Sequence, residues 1–116
     1  MQITISDLDG AAMKVTLVGK LDIAGAQVIE LPMATVAGAR GNVMIDMTGV
    51  DFIASIGIRH LVMTAKAIAR RAGKMVLLAP TPMVTEVLHV SGLEQILPIV
   101  KSEDEARALF AGTRSA

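Results

Sequence analysis

An acid, a hydroxyl and an imidazole, Asp51, Ser55 and His60, fall within the short stretch VDFIASIGIRHLV. Brought tip to tip, these three residue types would make a nucleophilic triad. Their spacing opposes it. If the residues after Ser55 are helical, Ser55 and His60 sit roughly 140° apart around the axis and cannot share a proton. No G-x-S-x-G elbow surrounds the serine. His60 and His89 stand singly on the polar sides of their segments, and no H-x-x-x-H or carboxylate cluster offers metal-ligand spacing. GVDFIASIG contains neither G-x-G-x-x-G nor the lysine of a phosphate-binding loop. The expectation is a protein that is not an enzyme and holds no metal or cofactor.

Composition narrows the remaining classes. The 116 residues fit one domain, 1–116, around one hydrophobic core. Hydrophobic residues make up 53 % of the chain and aromatic residues only 2 %, so Ala, Val, Leu, Ile and eight Met must fill that core. Two Phe are too few to stack single-stranded nucleic acid. Eleven basic residues balance eleven acidic ones, so no net field draws the chain to nucleic acid or to an anionic membrane. There is no Cys, which excludes disulfides and thiolate metal sites. No uncharged apolar run reaches the ~18–20 residues of a membrane span, and MQITISDLDG lacks the basic flank of a signal peptide. A cytoplasmic location is expected.

The elements that must position Ser55 can be read from periodicity. QITIS (2–6) and MKVTLVG (13–19) alternate as strands, with Asp9-Gly10 favouring a tight hairpin turn. From Ile23 to about Ala39, Ala26, Ile29, Met33 and Val36 share a helical face; Pro32 should kink that helix or begin a new turn. NVMIDM (42–47) and KMVLLA (74–79) are strands, the second apolar on both sides as if covered on both. After Ser55, Ile58, Leu61, Val62, Ala65, Ile68, Ala69 and Ala72 form one stripe, Arg59, Lys66 and Arg70 lie opposite, and Gly73 stops the helix. Thr81-Pro82 opens another helix that Gly92 closes. QILPIV (95–100) is a strand that Pro98 confines to an edge. In SEDEARALFAG (102–112), Ser102 and Glu105 make a capping box, with Ala106, Leu109 and Phe110 as anchors. The order β-β-α-β-α-β-α-β-α predicts an α/β fold: a mixed β-sheet with a parallel centre.

The run GKLDIAGA…NVMIDMTGVDFIASIGIRHLV…GKMVLLAPTPMVTEVLHVSGLEQILPIVKSEDEARALF resembles the STAS domain family, best known from bacterial anti-sigma factor antagonists. The marks that agree are Gly19-Lys20-Leu21-Asp22, the strand ending in Asp46, Phe52 before Ser55, Gly57, Gly73 and Ser91-Gly92-Leu93. The resemblance implies a STAS-like sheet with helices packed mainly on one face, which would leave KMVLLA incompletely covered on the other. It also implies a partner-switching regulator. In such antagonists the first serine of a D-S-S-G or D-S-T-G motif is phosphorylated by an anti-sigma factor that is also a serine kinase, and a PP2C-type phosphatase reverses it. The matching stretch is Ala54-Ser55-Ile56-Gly57, so Ser55 holds the acceptor position. Ala54 replaces the family's Asp and Ile56 its second hydroxyl, which removes an acid able to orient the serine. An alternative within the same resemblance is a non-phosphorylated STAS subunit docking on the ATPase of a bacterial lipid ABC transporter.

The residues themselves place Ser55 at a helix N-cap, its oxygen positioned to accept from the N–H of Gly57 or Ile58. A phosphate there would meet the positive end of the helix dipole, so the chain's own fold would tolerate it while an apolar interface would not. Gly57 is expected either to admit a partner's backbone or to pack the helix start closely. The expected partner-binding patch is Asp22, Ile53, Ile56, Gly57, Arg59 and Met63. A small apolar ligand bound by the Met-rich, ring-poor interior is a further possibility.

Overall fold

The computed structural model describes residues 1–9, 12–39 and 41–112. Strands β1 (Gln2–Asp9) and β2 (Ala12–Leu21) pair antiparallel, with Asp9 opposite Ala12. Gly10 of the turn expected at Asp9-Gly10 lies outside the described residues. Helix α1 (Ile23–Gly38), strand β3 (Val43–Ile53), helix α2 (Ser55–Arg70) and strand β4 (Met75–Leu78) follow, then α3 (Pro82–Val90), β5 (Ile99–Val100) and α4 (Glu103–Gly112). Each crossover helix returns the chain to the starting end, so β2, β3, β4 and β5 are parallel neighbours. The sheet order is β1-β2-β3-β4-β5, the mixed sheet with a parallel centre that the alternation predicts.

The two-residue period of the strands divides the core between two faces. Val43, Ile45 and Met47 of β3 and Met75 and Leu77 of β4 join Ile29, Met33, Leu61, Ile68, Val84 and Leu88 from α1, α2 and α3. Their neighbours Met44, Val76 and Leu78 point the other way and meet Val100, Ala106 and Phe110. Three helices therefore lie on one face and α4 alone on the other. All four residues of β4 are buried, so the two-sided cover legible in KMVLLA is present, and α4 supplies it. The β1–β2 half of that second face is polar instead, pairing Thr4 with Thr16 and Ser6 with Lys14, and Thr4 and Ser6 are exposed.

Several local expectations need correction. Pro32 does not divide α1, which runs unbroken past it. Proline removes the bond that Val28 would accept, and Val28 is on the exposed side, where water can take that carbonyl. QILPIV contributes only Ile99 and Val100 to a strand, while Leu93–Gln95 form a 3₁₀ turn. Pro98 still takes part through its carbonyl, which accepts the Leu77 N–H at 3.0 Å, and β5 is an edge as expected. Half of the capping box forms: the Glu105 N–H donates to Ser102 Oγ at 3.2 Å, but the Glu105 carboxylate reaches the N–H of Lys101 rather than that of Ser102. Helix α2 ends at Arg70, so Ala72 lies in the turn beyond it; Ala69 and Ala72 are exposed, and Thr64 is buried with its hydroxyl bonded to the His60 carbonyl at 2.8 Å.

Helix α4 is tied to the sheet by charge as well as by Phe110. Lys14 Nζ on β2 donates to Glu103 Oε2 at 2.9 Å and lies 3.8 Å from Asp46 Oδ2 on β3. The hydrogen bond to Glu103, aided by the charges of Glu103 and Asp46, raises the Lys14 pKa against a smaller opposing effect of burial. A raised lysine pKa means this contribution is complete below the unfolded-state value and disappears as pH climbs through the folded-state one. With Lys14 and Glu103 side chains 27 % and 36 % exposed, solvent screens the pair. Lys14→Met should therefore lose no more than about 1 kcal/mol at neutral pH. Urea denaturation should show that difference vanish at strongly alkaline pH.

Candidate functional site

The end of β2 positions both helix starts of the expected site. β2 and β3 stay paired to their last residues, Lys20 with Phe52 and Leu21 with Ile53. One residue on, the Ala54 N–H donates to the Leu21 carbonyl at 3.0 Å. Asp22 then caps α1, its Oδ1 accepting the Gly25 N–H at 2.8 Å. Two glycines let the first turns come this close. A Cβ on Gly25 would lie 2.2 Å from the Lys20 carbonyl oxygen, and one on Gly57 would lie 2.6 Å from Leu21 Cγ and 2.8 Å from its oxygen.

This arrangement moves Ser55 by one place from its expected role. Ala54, extended at φ −103° and ψ 169°, is the N-cap, and no side chain caps α2. The cause is the bond to Leu21, which makes Ala54 the last extended residue and Ser55 the first helical one. Gly57 and Ile58 donate to the Ala54 carbonyl at 2.9 and 3.1 Å, so Ser55 Oγ does not serve them. By helix geometry the Ser55 and Ile56 N–H groups have no intrahelical acceptor. Ser55 is exposed at the positive end of the α2 dipole, and among the described residues its hydroxyl has no hydrogen-bond partner.

The expected patch separates into surface and scaffold. Arg59 is exposed, Met63 is 58 % exposed and Ile56 is half-buried, so these can meet a partner. Ile53 cannot: it is 5 % exposed and belongs to the core, because pairing with Leu21 turns it toward the helices. Gly57 is buried against Leu21, which leaves no room for a partner's backbone and realises the close-packing role. Asp22 is half-buried and occupied as a cap. Two residues missing from the expected patch are Ile23, 70 % exposed, and Phe52, 43 % exposed, both at this end of the sheet. Strand parity does not reveal Phe52: Val50 and Ile53, three residues apart, both face the core, because the register with β2 shifts between Gly19 and Lys20 and leaves Asp51 and Phe52 outside. Asp51 is exposed, and His60 lies half-buried on α2 facing α1 rather than Ser55. His89 pairs with Glu94. Among the described residues no three His, Cys, Asp or Glu side chains gather, and no helix is long and apolar enough to cross a membrane.

A five-stranded sheet with one antiparallel edge, three helices on one face and a fourth on the other defines a recognised class. The model of the STAS domain matches residues 2–106, and the chain belongs to that family. A curated relative from Bordetella bronchiseptica, "Putative anti-sigma factor antagonist BtrV", is 32 % identical over 111 residues, spanning 95 % of each chain. Among solved structures, an anti-sigma factor antagonist from Mycobacterium paratuberculosis superposes with a TM-score of 0.84 at 22 % identity, covering 95 % of this chain and 93 % of that one. The phosphorylated form of the Bacillus cell fate determinant SpoIIAA superposes at 0.71 with 20 % identity, covering 93 % and 99 %. At these identities the two structures establish the fold.

Two substitutions separate surface from scaffold here. Ser55→Ala removes no cap and should cost less than about 0.5 kcal/mol. Gly57→Ala forces a Cβ onto Leu21, whose backbone oxygen cannot swing aside, and should cost about 1–3 kcal/mol. Chemical denaturation of the two variants checks both; comparable losses would mean that Ser55 caps the helix after all.

Proposed function

We propose that this chain is an anti-sigma factor antagonist, a single-domain, non-enzymatic partner switch of the bacterial cytoplasm. It binds an anti-sigma factor that is also a serine kinase, and reversible phosphorylation at Ser55, undone by a PP2C-type phosphatase, controls the binding. The observation that carries this reading is the exposed Ser55 hydroxyl at the first residue of α2, beside exposed Ile23, Phe52, Arg59 and Met63. The 32 % identity with the Bordetella relative supports it.

The geometry accounts for how such a switch would act without unfolding its carrier. A phosphate on Ser55 adds about −1.5 to −2 charge beside the Ser55 and Ile56 N–H groups, which have no intrahelical acceptor, and the helix dipole. The folded chain accommodates that charge. An interface built on Ile23, Phe52 and Met63 does not, because the phosphate would lose its water there. The absent motif Asp also fits: position 54 acts through its backbone, holding Leu21, and an Ala does this as well as an Asp.

Ser55→Asp should fold as well as wild type, because a carboxylate in the first helical turn is favourable by about 0.3–1 kcal/mol. It should weaken binding to the cognate anti-sigma kinase at least tenfold, about 1.4 kcal/mol, while Ser55→Ala binds like wild type. Incubation with that kinase and ATP should add one phosphate at Ser55 by mass spectrometry. Equal affinities and an unmodified Ser55 would instead favour a STAS subunit docking on a transporter ATPase. Separately, Arg59→Glu and Met63→Asp should each reduce partner affinity with melting temperature unchanged; if neither does, the interface lies elsewhere.

A further inference from the structure

Away from Ser55, the later turns of α1 and α2 enclose an open groove of about 830 Å³. The space exists because facing positions carry small residues, Ala34, Ala37 and Gly38 on α1 and Ala67 on α2. Met33 and Met63 add flexible, polarizable walls that adapt to an aliphatic guest. The two ends differ in charge. Arg70 and Arg71 stand where the helices finish, and among the described residues neither is paired with an acid. Glu30 and His60 stand at the opposite end.

An apolar trough with cations at one end and an acid at the other fits a long molecule with an aliphatic body and one anionic head. The volume lies in the usual range of small-molecule sites. Met63 to Arg70 spans about 10 Å of helix, the reach of a medium-length chain. We propose that this groove binds a free, single-chain fatty-acid carboxylate. Its head sits at Arg70 and Arg71, and its chain lies along Ala37 and Ala67 toward Met63. Glu30 sets the direction by repelling a carboxylate from the far end. Because Ala37 and Ala67 are recessed between the helices, a single chain reaches them where a flat bilayer does not. This groove shares Met63 with the partner surface beside Ser55 but none of its other residues, and its test needs no partner protein.

The test is isothermal titration of the full chain with hexanoate, octanoate and decanoate, each below its micelle concentration. Affinity should tighten by up to about fourfold per added methylene as the chain is buried. Decyltrimethylammonium should bind at least tenfold more weakly than decanoate. The double variant Arg70→Glu/Arg71→Glu should lose at least tenfold for decanoate, and Ala67→Leu, which fills the groove, should abolish the dependence on chain length. Amide chemical shifts should move along α1 and α2 on adding decanoate to the wild type. No binding, equal binding of the ammonium amphiphile, indifference to chain length, binding only to micelles or vesicles, or shifts confined to other elements would each overturn the proposal.

Discussion

The carbonyl and side chain of Leu21 are the point on which the functional end of this protein depends. The carbonyl takes the Ala54 N–H, which fixes where β3 stops and α2 begins. The side chain lies against Gly57, which fixes how near α2 runs to the sheet. The next residue, Asp22, caps α1, and Gly25 sits over the Lys20 carbonyl. Two helices that would otherwise be placed only by non-directional apolar packing are thus located by hydrogen bonds and steric contact. An exposed serine needs such a frame if its modification is to change a surface and nothing beneath it.

The same frame explains the division of labour along α2. Its first turn carries Ser55 outward and Gly57 inward, and its middle buries Leu61, Thr64, Ala65 and Ile68. Its outer side carries Arg59, Lys66 and Arg70 and no acid, although the whole chain has zero net charge. The acids are elsewhere, several of them on α4 and its neighbours, where Lys14 meets Glu103 and Asp46. Net charge therefore describes solubility but conceals a local positive surface. Both the partner surface at Met63 and the groove ending at Arg70 lie on this helix.

Helix α1 adds a second asymmetry. Its inner face, Ala26, Ile29, Met33 and Val36, is the core stripe expected from the spacing. Its outer face is also largely apolar, with Ile23 70 % and Leu31 76 % exposed. A helix apolar on all sides is normally buried on all sides. The exposed Ile23 lies beside the end of β2, directly after the Asp22 cap, while Gly25 two residues on packs against the Lys20 carbonyl.

Much of the architecture is legible in the residues because secondary-structure period and burial are local properties of the chain. The order of elements, the Ala26–Val36 face, the two-sided cover of Met75–Leu78, the start of α3 and the anchors of α4 all follow from spacing and capping chemistry. What the tertiary structure alone decides is the fate of residues whose local signals allow two answers. Ser55 is as good a cap as any, yet the bond from Ala54 to Leu21, 33 positions away in sequence, makes it the first residue of the helix instead. Ile53 and Phe52 are both apolar, and pairing with β2 determines which faces the core. Gly57 would suit an open approach or a tight contact, and Leu21 occupies the space. QILPIV looks extended throughout, but only its last two residues pair in register with β4. In each case the deciding contact comes from another part of the chain, and no local pattern encodes it.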